Sequence, residues 1–194
     1  MRPILISWLA ALCLSSAAAA PSTGPAIGSM APDFKAHNLI TGETVPLSSQ
    51  RGKLVILTFW ASWCGPCKRE LPILENAQEF VGKDRLTVFA VSFQENPAAA
   101  MMLKKLAVSW QINLIEDRNG WIASRYGINS IPHLFFIDRN GKIFSSHVGY
   151  GDRTIGNRTL RSLRLAGAVT REAREGGKQP RYRPPAALFR EPLK

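Results

Sequence analysis

Two cysteines, Cys64 and Cys67, are separated by two residues in the stretch TFWASWCGPCKRELP, which runs from Thr58 to Pro72. Sulfur at this spacing can exchange electrons, supply half of a metal site, or staple a fold. A staple this tight closes too small a loop to stabilise much. Zinc takes four ligands, and the chain has no second cysteine pair; its histidines are His37, His133 and His147. The surroundings favour electron exchange. The pair follows a continuous apolar run, Lys53 to Ala61, and opens a segment of helical periodicity. Cys64 is therefore expected beside the unpaired N–H groups of a first helical turn, where partial positive charge favours thiolate. The thiolate is the nucleophile of disulfide exchange, so Cys64 is the expected attacking sulfur. Cys67, one turn into the helix, is expected to be more buried and to resolve the mixed disulfide. On this reading Cys64–Cys67 is a redox-active disulfide, and no resident metal or cofactor is expected.

The elements that must position the pair follow from patterning. Lys53–Ala61 and Arg85–Phe93 read as strands buried on both faces. Pro66 to about Val81 reads as a helix with Leu71, Leu74, Ala77 and Val81 on one face; Pro72 should kink it. Turn signals at Thr41-Gly42 and Arg51-Gly52 predict a short N-terminal hairpin leading into the core. Pro97 to about Trp110 is expected to be helical, QINLIED a short strand, and Trp121–Tyr126 a short helix ended by Gly127. IPHLFFIDRNGKIFSSHVG predicts a hairpin reversing at Asn140-Gly141. Thr154–Ala168 predicts a final helix with Ile155, Leu160, Leu163 and Ala166 toward the core. Strands alternating with helices, finished by a hairpin and a helix, make a three-layer α/β domain around a mixed sheet.

The ends differ from the middle of this 194-residue chain. Residues 1–20, MRPILISWLAALCLSSAAAA, have a charged start, an apolar stretch from Ile4 to Leu14 and small residues after it. That is the pattern of a secretory signal peptide; an uncleaved membrane anchor is the alternative, against which the apolar stretch is shorter than the roughly 20 residues a transmembrane helix needs. Cleavage after Ala18 or Ala19 would remove Cys13 and leave Cys64 and Cys67 as the only thiols in an oxidising compartment. The formal net charge is +11, but from Arg158 to Lys194 alone there are ten Lys/Arg against three Glu. Residues 170–194 are rich in Gly, Pro and Arg and read as a disordered basic tail. Arg158, Arg161 and Arg164 share a helix face; a solvated face is the default reading, and weak contact with anionic headgroups or an acidic partner is the alternative. No nucleic-acid partner is expected.

FWASWCGPC resembles the active-site motif of the thioredoxin superfamily, and YGINSIPHLFFIDRNGK resembles the segment that carries its cis-proline, here Pro132. GSMAPDF, GETVPLSSQRGKLVILTFWASWCGPCKRELP and DRNGWIASRYGINSIP are similar to the exported TlpA/ResA/CcmG-type branch, over about Gly28 to Ala168. The resemblance implies a thioredoxin fold in residues 28–168 with an N-terminal hairpin and a central helix–strand insertion. It also implies an exported, periplasmic thiol–disulfide oxidoreductase, acting as a reductant, linked to cytochrome c maturation. Its substrate would be a disulfide-bearing protein, an apocytochrome c or a copper-site protein, and its electron donor a membrane thiol transporter. In this branch the acid at Glu70 is taken to move protons for the buried cysteine; the bland alternative is a solvated helix carboxylate. Thioredoxins proper carry a buried Asp where this chain has Thr58. A cis Pro132 would face the cysteines and leave the backbone of Ile131 to pair with an extended substrate. Trp63 and His133 are the remaining candidates for substrate contact. His133 would be a thiolate stabiliser or third copper ligand if it points to the cysteines, and packing if strand alternation turns it away. Two other functions fit parts of the pattern: a Cu(I) carrier using Cys64 and Cys67, and a thiol peroxidase. The last would want Thr where Ala61 stands.

Overall fold

A computed structural model of the chain describes residues 24–94, 110–150 and 155–167. The expected signal sequence with Cys13, the helix expected from Pro97, the side chains of Ile155, Arg158 and Leu160, and the C-terminal residues read as a basic tail lie outside the described residues. The strands are β1 (Lys35–His37), β2 (Thr44–Pro46), β3 (Leu54–Trp60), β4 (Leu86–Ser92), β5 (Asn113–Glu116), β6 (His133–Ile137) and β7 (Ile143–Val148). The α-helices are α1 (Gly65–Val81), α2 (Trp121–Arg125) and α3 (Ile155–Leu165), and a 3-10 turn covers Leu47–Gln50.

Five strands form one sheet in the order β5-β4-β3-β6-β7. β3 pairs in parallel with β4 and antiparallel with β6, so the sheet is mixed, as the hairpin implied. Every residue of β3 and β4 is buried, which is why both read as unbroken apolar runs: helices or loops cover each face. Alternate residues divide the core. Leu54, Ile56 and Trp60 point to the side where Cys67, Leu71 and Leu74 of α1 and Leu163 of α3 pack. Val55, Leu57 and Phe59 point to the other side, against Phe34, Leu47 and Tyr126.

That second face is closed by the N-terminal segment. It begins beside β7, where the Gly28 N–H donates to the Ile143 carbonyl at 2.7 Å. It ends at the far edge, where the Leu39 N–H donates to the Leu114 carbonyl at 2.7 Å. The predicted hairpin, β1–β2, lies along this path and reverses between Asn38 and Glu43. The β6–β7 reversal is longer than the Asn140-Gly141 pair suggested. The Gly141 N–H closes on the Asp138 carbonyl at 2.9 Å, and the Asp138 side chain accepts from the N–H groups of Asn140 and Lys142. Gly141 takes φ 84° there, and a Cβ would run into the Arg51 guanidinium.

α1 begins at a Cys64 N-cap with Pro66 in its first turn, where a missing N–H costs nothing. Pro72 sits inside the helix and removes the N–H that the Lys68 carbonyl would otherwise receive. The helix also holds β5 in place. Glu75 accepts from the N–H groups of Gln111 and Ile112 at 2.7 and 3.1 Å. Gln78 accepts from the Val88 N–H at 2.6 Å and donates to the Gln111 carbonyl at 2.8 Å. β5 starts opposite Phe89, one residue too late to satisfy Val88; the Gln78 side chain replaces the missing strand partner, because a buried backbone N–H left alone is costly. At α3, Leu163 is buried and Ala166 packs against the core, as its periodicity predicted.

Candidate active site

The parallel β3–β4 pair and α1 place the cysteines at the carboxyl end of β3. After Trp60 the chain turns through Ala61, whose carbonyl accepts from the Cys64 N–H at 3.1 Å. Cys64 then caps α1. Its sulfur accepts the Cys67 N–H at 3.2 Å, and a disulfide joins the two residues. Cys64 is 6% exposed and Cys67 0%; both are buried, and Cys64 is the one that keeps a small opening to solvent. At the N-cap, Cys64 meets the positive end of a 17-residue helix.

Glu70 lies one turn beyond Cys67, on the same helix face. It is not a solvated carboxylate: only 1% of it is exposed. Its Oε1 accepts a hydrogen bond from the Thr58 hydroxyl at 2.7 Å, while Oε2 is buried with no partner among the described residues. Burial disfavours the charged form and pushes its pKa up to about 8, against the pull of the Thr58 hydroxyl. A buried carboxyl that changes protonation near neutrality is suited to exchanging protons with a thiol. Sequence comparison with thioredoxin treats Thr58 as the loss of an ionisable group. In the folded chain Thr58 is the partner of the one that Glu70 supplies instead.

The Ile131–Pro132 bond is cis. The β3–β6 register sets Phe59 opposite His133, so Pro132 lies at the same end of the sheet as the turn into Cys64. Its carbonyl accepts from the Gly149 N–H at 2.8 Å. Next to Gly149, the ring of Tyr150 carries the Arg69 guanidinium 4.9 Å from its centroid, which ties the first turns of α1 to the proline segment. Ile131 is half-buried and touches both cores. Trp63 is 60% exposed immediately before Cys64, with its indole N–H donating to the Gln94 carbonyl at 3.3 Å. Gln94 takes φ 50° at the end of β4. An open cleft of about 550 Å³ lies behind it, lined by Gln94, Asn119, Ser124 and Asn129 among others. Trp60 is buried.

His133 is turned away from the cysteines. It stacks on Phe135 with centroids 4.5 Å apart, and Phe135 belongs to the opposite core. Its Nε2 meets the Ser146 hydroxyl at 2.9 Å, and burial, aided by His147, lowers its pKa. Residues i and i+2 of a strand share a face, so His133 follows Phe135 while Leu134 and Phe136 face the cysteine side. His133 is therefore neither a thiolate partner nor a third copper ligand, and its assignment to the substrate surface beside Cys64 is corrected. The histidine on the cysteine side of this hairpin is His147, against Phe136. Among the described residues, no group of three or more His, Cys, Asp or Glu is placed to hold a metal. Ala61, where a peroxidase would want a hydroxyl, is apolar and fully buried.

Known proteins resemble this chain in sequence and in fold. The thioredoxin-like protein YneN of Bacillus subtilis is 35% identical over 124 residues, covering 63% of this chain and 71% of its own. The thiol-disulfide oxidoreductase ResA of Geobacillus thermodenitrificans is 34% identical over 62% of this chain and 68% of its own. Among solved structures, a Chlorobium tepidum protein provisionally described as thiol:disulfide interchange protein DsbE superposes with a TM-score of 0.64 at 32% identity, over 74% of this chain and 99% of that one. The exposed lipoprotein thioredoxin Etrx1 of Streptococcus pneumoniae gives 0.58 at 30% identity, over 68% and 100%. These likenesses identify the mixed sheet with its flanking helices as a thioredoxin fold. The AhpC/TSA family model matches residues 27–146, more than half of the sequence, and the chain belongs to that family.

Proposed function

We propose that this chain is a thiol–disulfide oxidoreductase that reduces disulfides of exported proteins. One observation carries the reading: Cys64 caps α1 with its sulfur on the Cys67 N–H, bonded to a fully buried Cys67. In the dithiol form the Cys64 thiolate attacks one sulfur of a substrate disulfide, and the other substrate sulfur leaves as a thiolate and takes a proton. Cys67 gives its proton to the Glu70 carboxylate and attacks Cys64 Sγ. The first substrate sulfur then leaves with its electron pair and takes the proton held by Glu70, which is a carboxylate again. Two electrons and two protons have passed to the substrate, and Cys64–Cys67 is a disulfide again. A dithiol donor must restore it; the resemblance to the exported branch makes that donor a membrane thiol transporter. Trp63 is the exposed neighbour of Cys64, the cis Ile131–Pro132 segment lies at the same end of the sheet, and the cleft behind Gln94 gives room for the polypeptide that flanks the substrate disulfide.

The signal-like first twenty residues support a periplasmic location. No helix among the described residues is long and apolar enough to cross a membrane. Apocytochrome c and copper-site proteins, whose paired cysteines must be reduced before they take their metal or haem, are the substrate classes that the branch resemblance favours.

Direction is a matter of potential. For a two-electron couple about 30 mV changes the equilibrium tenfold. The Gly65-Pro66 spacer is that of reducing thioredoxins. Equilibrated against graded thiol/disulfide buffers, the Cys64–Cys67 couple is expected on the reducing side of about −180 mV, toward thioredoxin near −270 mV. A midpoint near −120 mV, typical of a dedicated oxidant, would reverse the proposed direction.

A further inference from the structure

We propose that Thr58 is a positioning residue for the resolving step: its hydroxyl holds Oε1 of Glu70 against β3 and leaves Oε2 as the oxygen that exchanges a proton with the Cys67 thiol. The inference rests on the proton-transfer role given to Glu70 above and adds the residue that controls it.

Three observations converge. Thr58 is fully buried at the centre of β3, where the neighbouring inward residues are Ile56 and Trp60. A hydroxyl at that position has no solvent to bond, and it donates to Glu70 Oε1 at 2.7 Å, an ordinary O–H···O length. The carboxyl is thereby split into two unlike oxygens. One is occupied; the other is buried and unpartnered on the helix face it shares with Cys67. When Cys67 passes its proton on, the S–H bond breaks and an O–H bond forms on Oε2. The Thr58 hydroxyl still donates to Oε1, so the carboxyl does not need to rotate. The same bond favours the charged carboxylate over the neutral acid, and so lowers the pH, raised by burial, at which Glu70 accepts the proton.

Among the described residues, no charged side chain displaces Glu70. Among the same residues, the other ionisable groups on the elements around the site are Cys67, Lys68, Arg69, Glu75 and Glu79 on α1, His147 on the cysteine-side face of β7, and the exposed Arg161 and Arg164 on α3. Glu70 is displaced by burial and by Thr58 alone.

The test uses Thr58→Val, which keeps the shape and removes the hydroxyl, Thr58→Ala, which removes it with less volume, and Thr58→Ser, which keeps it. In each, substrate-disulfide reduction is followed against pH, and the Glu70 carboxyl is titrated by NMR in the oxidised protein. Loss of a hydrogen bond to a charged group is expected to raise both midpoints by about one pH unit, a tenfold change in proton affinity, in Val and Ala. Ser should restore them. Midpoints in Val and Ala that coincide with the unsubstituted protein would overturn the role of Thr58. If Glu70→Gln abolishes the pH-dependent limb while Thr58→Val leaves it in place, only this inference fails. If Glu70→Gln keeps the limb, the proton-transfer role itself fails, and this inference with it.

Discussion

Cys67→Ala is expected to trap substrates as mixed disulfides on Cys64 and to stop turnover. The attacking sulfur, its N-cap position and the helix behind it remain, because they depend on the backbone of residues 64–67 and not on the Cys67 side chain. What is lost is an internal nucleophile one helical turn away. Such a group acts at an effective concentration far above that of any free thiol, so release should slow by at least about a hundredfold and depend on added reductant. Cys64→Ala should lose turnover as completely but form no adduct, since Cys67 is 0% exposed and out of reach of a protein substrate. Non-reducing gels and mass spectrometry of the exported fraction read both outcomes. Adducts on Cys67 in the Cys64→Ala protein would invert the assigned roles. Adducts in neither protein would remove the substrate-reduction reading.

Glu70→Gln has the second large effect, and it appears in both rate and stability. Glu70 must be ionised to accept the Cys67 proton, and burial holds its pKa near 8. Substrate reduction should therefore rise with pH through about 8 in the unsubstituted protein. In Glu70→Gln the limb should be missing, with a loss of about a hundredfold or more on its high-pH side, in line with general acid–base contributions. The stability consequence has a definite sign. A carboxyl whose folded pKa lies above its unfolded value binds its proton more tightly in the native state. Its contribution is complete below the unfolded value of 4.5 and is lost as pH rises through about 8. At about 1.4 kcal/mol per pK unit the swing is several kcal/mol. Glu70→Gln has no proton to lose, so its stability should fall less across that window, and at high pH it should be the more stable protein. Denaturant midpoints of both oxidised proteins at several pH values read this. Parallel curves would show that Glu70 ionises as freely as in the unfolded chain.

The chemistry-bearing sulfurs were legible because local sequence sets their environment: a buried strand, a Gly-Pro first turn and helical periodicity put Cys64 at an N-cap. β3 and β4 were legible for a similar reason, since strands covered on both faces must be apolar throughout. Leu71, Leu74, Ala77 and Val81 followed from a 3.6-residue period and are all buried. What sequence did not disclose depends on partners distant along the chain. Glu70 reads as a solvated or a buried acid until the 12-residue contact with Thr58 is seen. Glu75 and Gln78 look like polar helix surface, yet they bind the backbone at Gln111, Ile112 and Val88, ten to 37 residues away. The Trp63–Gln94 and Arg69–Tyr150 contacts are of the same kind. His133 shows where a local signal was available: alternation from Phe135 places it on the far face, and adjacence to Pro132 in sequence does not bring it to the cysteines. Asn140-Gly141 is a strong two-residue turn signal, but the Asp138 side chain favours the longer reversal.

The most direct test of the central claim is the pKa of the Cys64 thiol in the fully reduced protein, from thiolate ultraviolet absorbance and from alkylation rate against pH, with Cys67→Ala as the reference for assignment. A sulfur at the cap of α1, accepting the Cys67 N–H, should ionise well below the free-cysteine value of about 8.5. A Cys64 that titrates at or above that value would show that the helix terminus does not activate it, and would contradict the account.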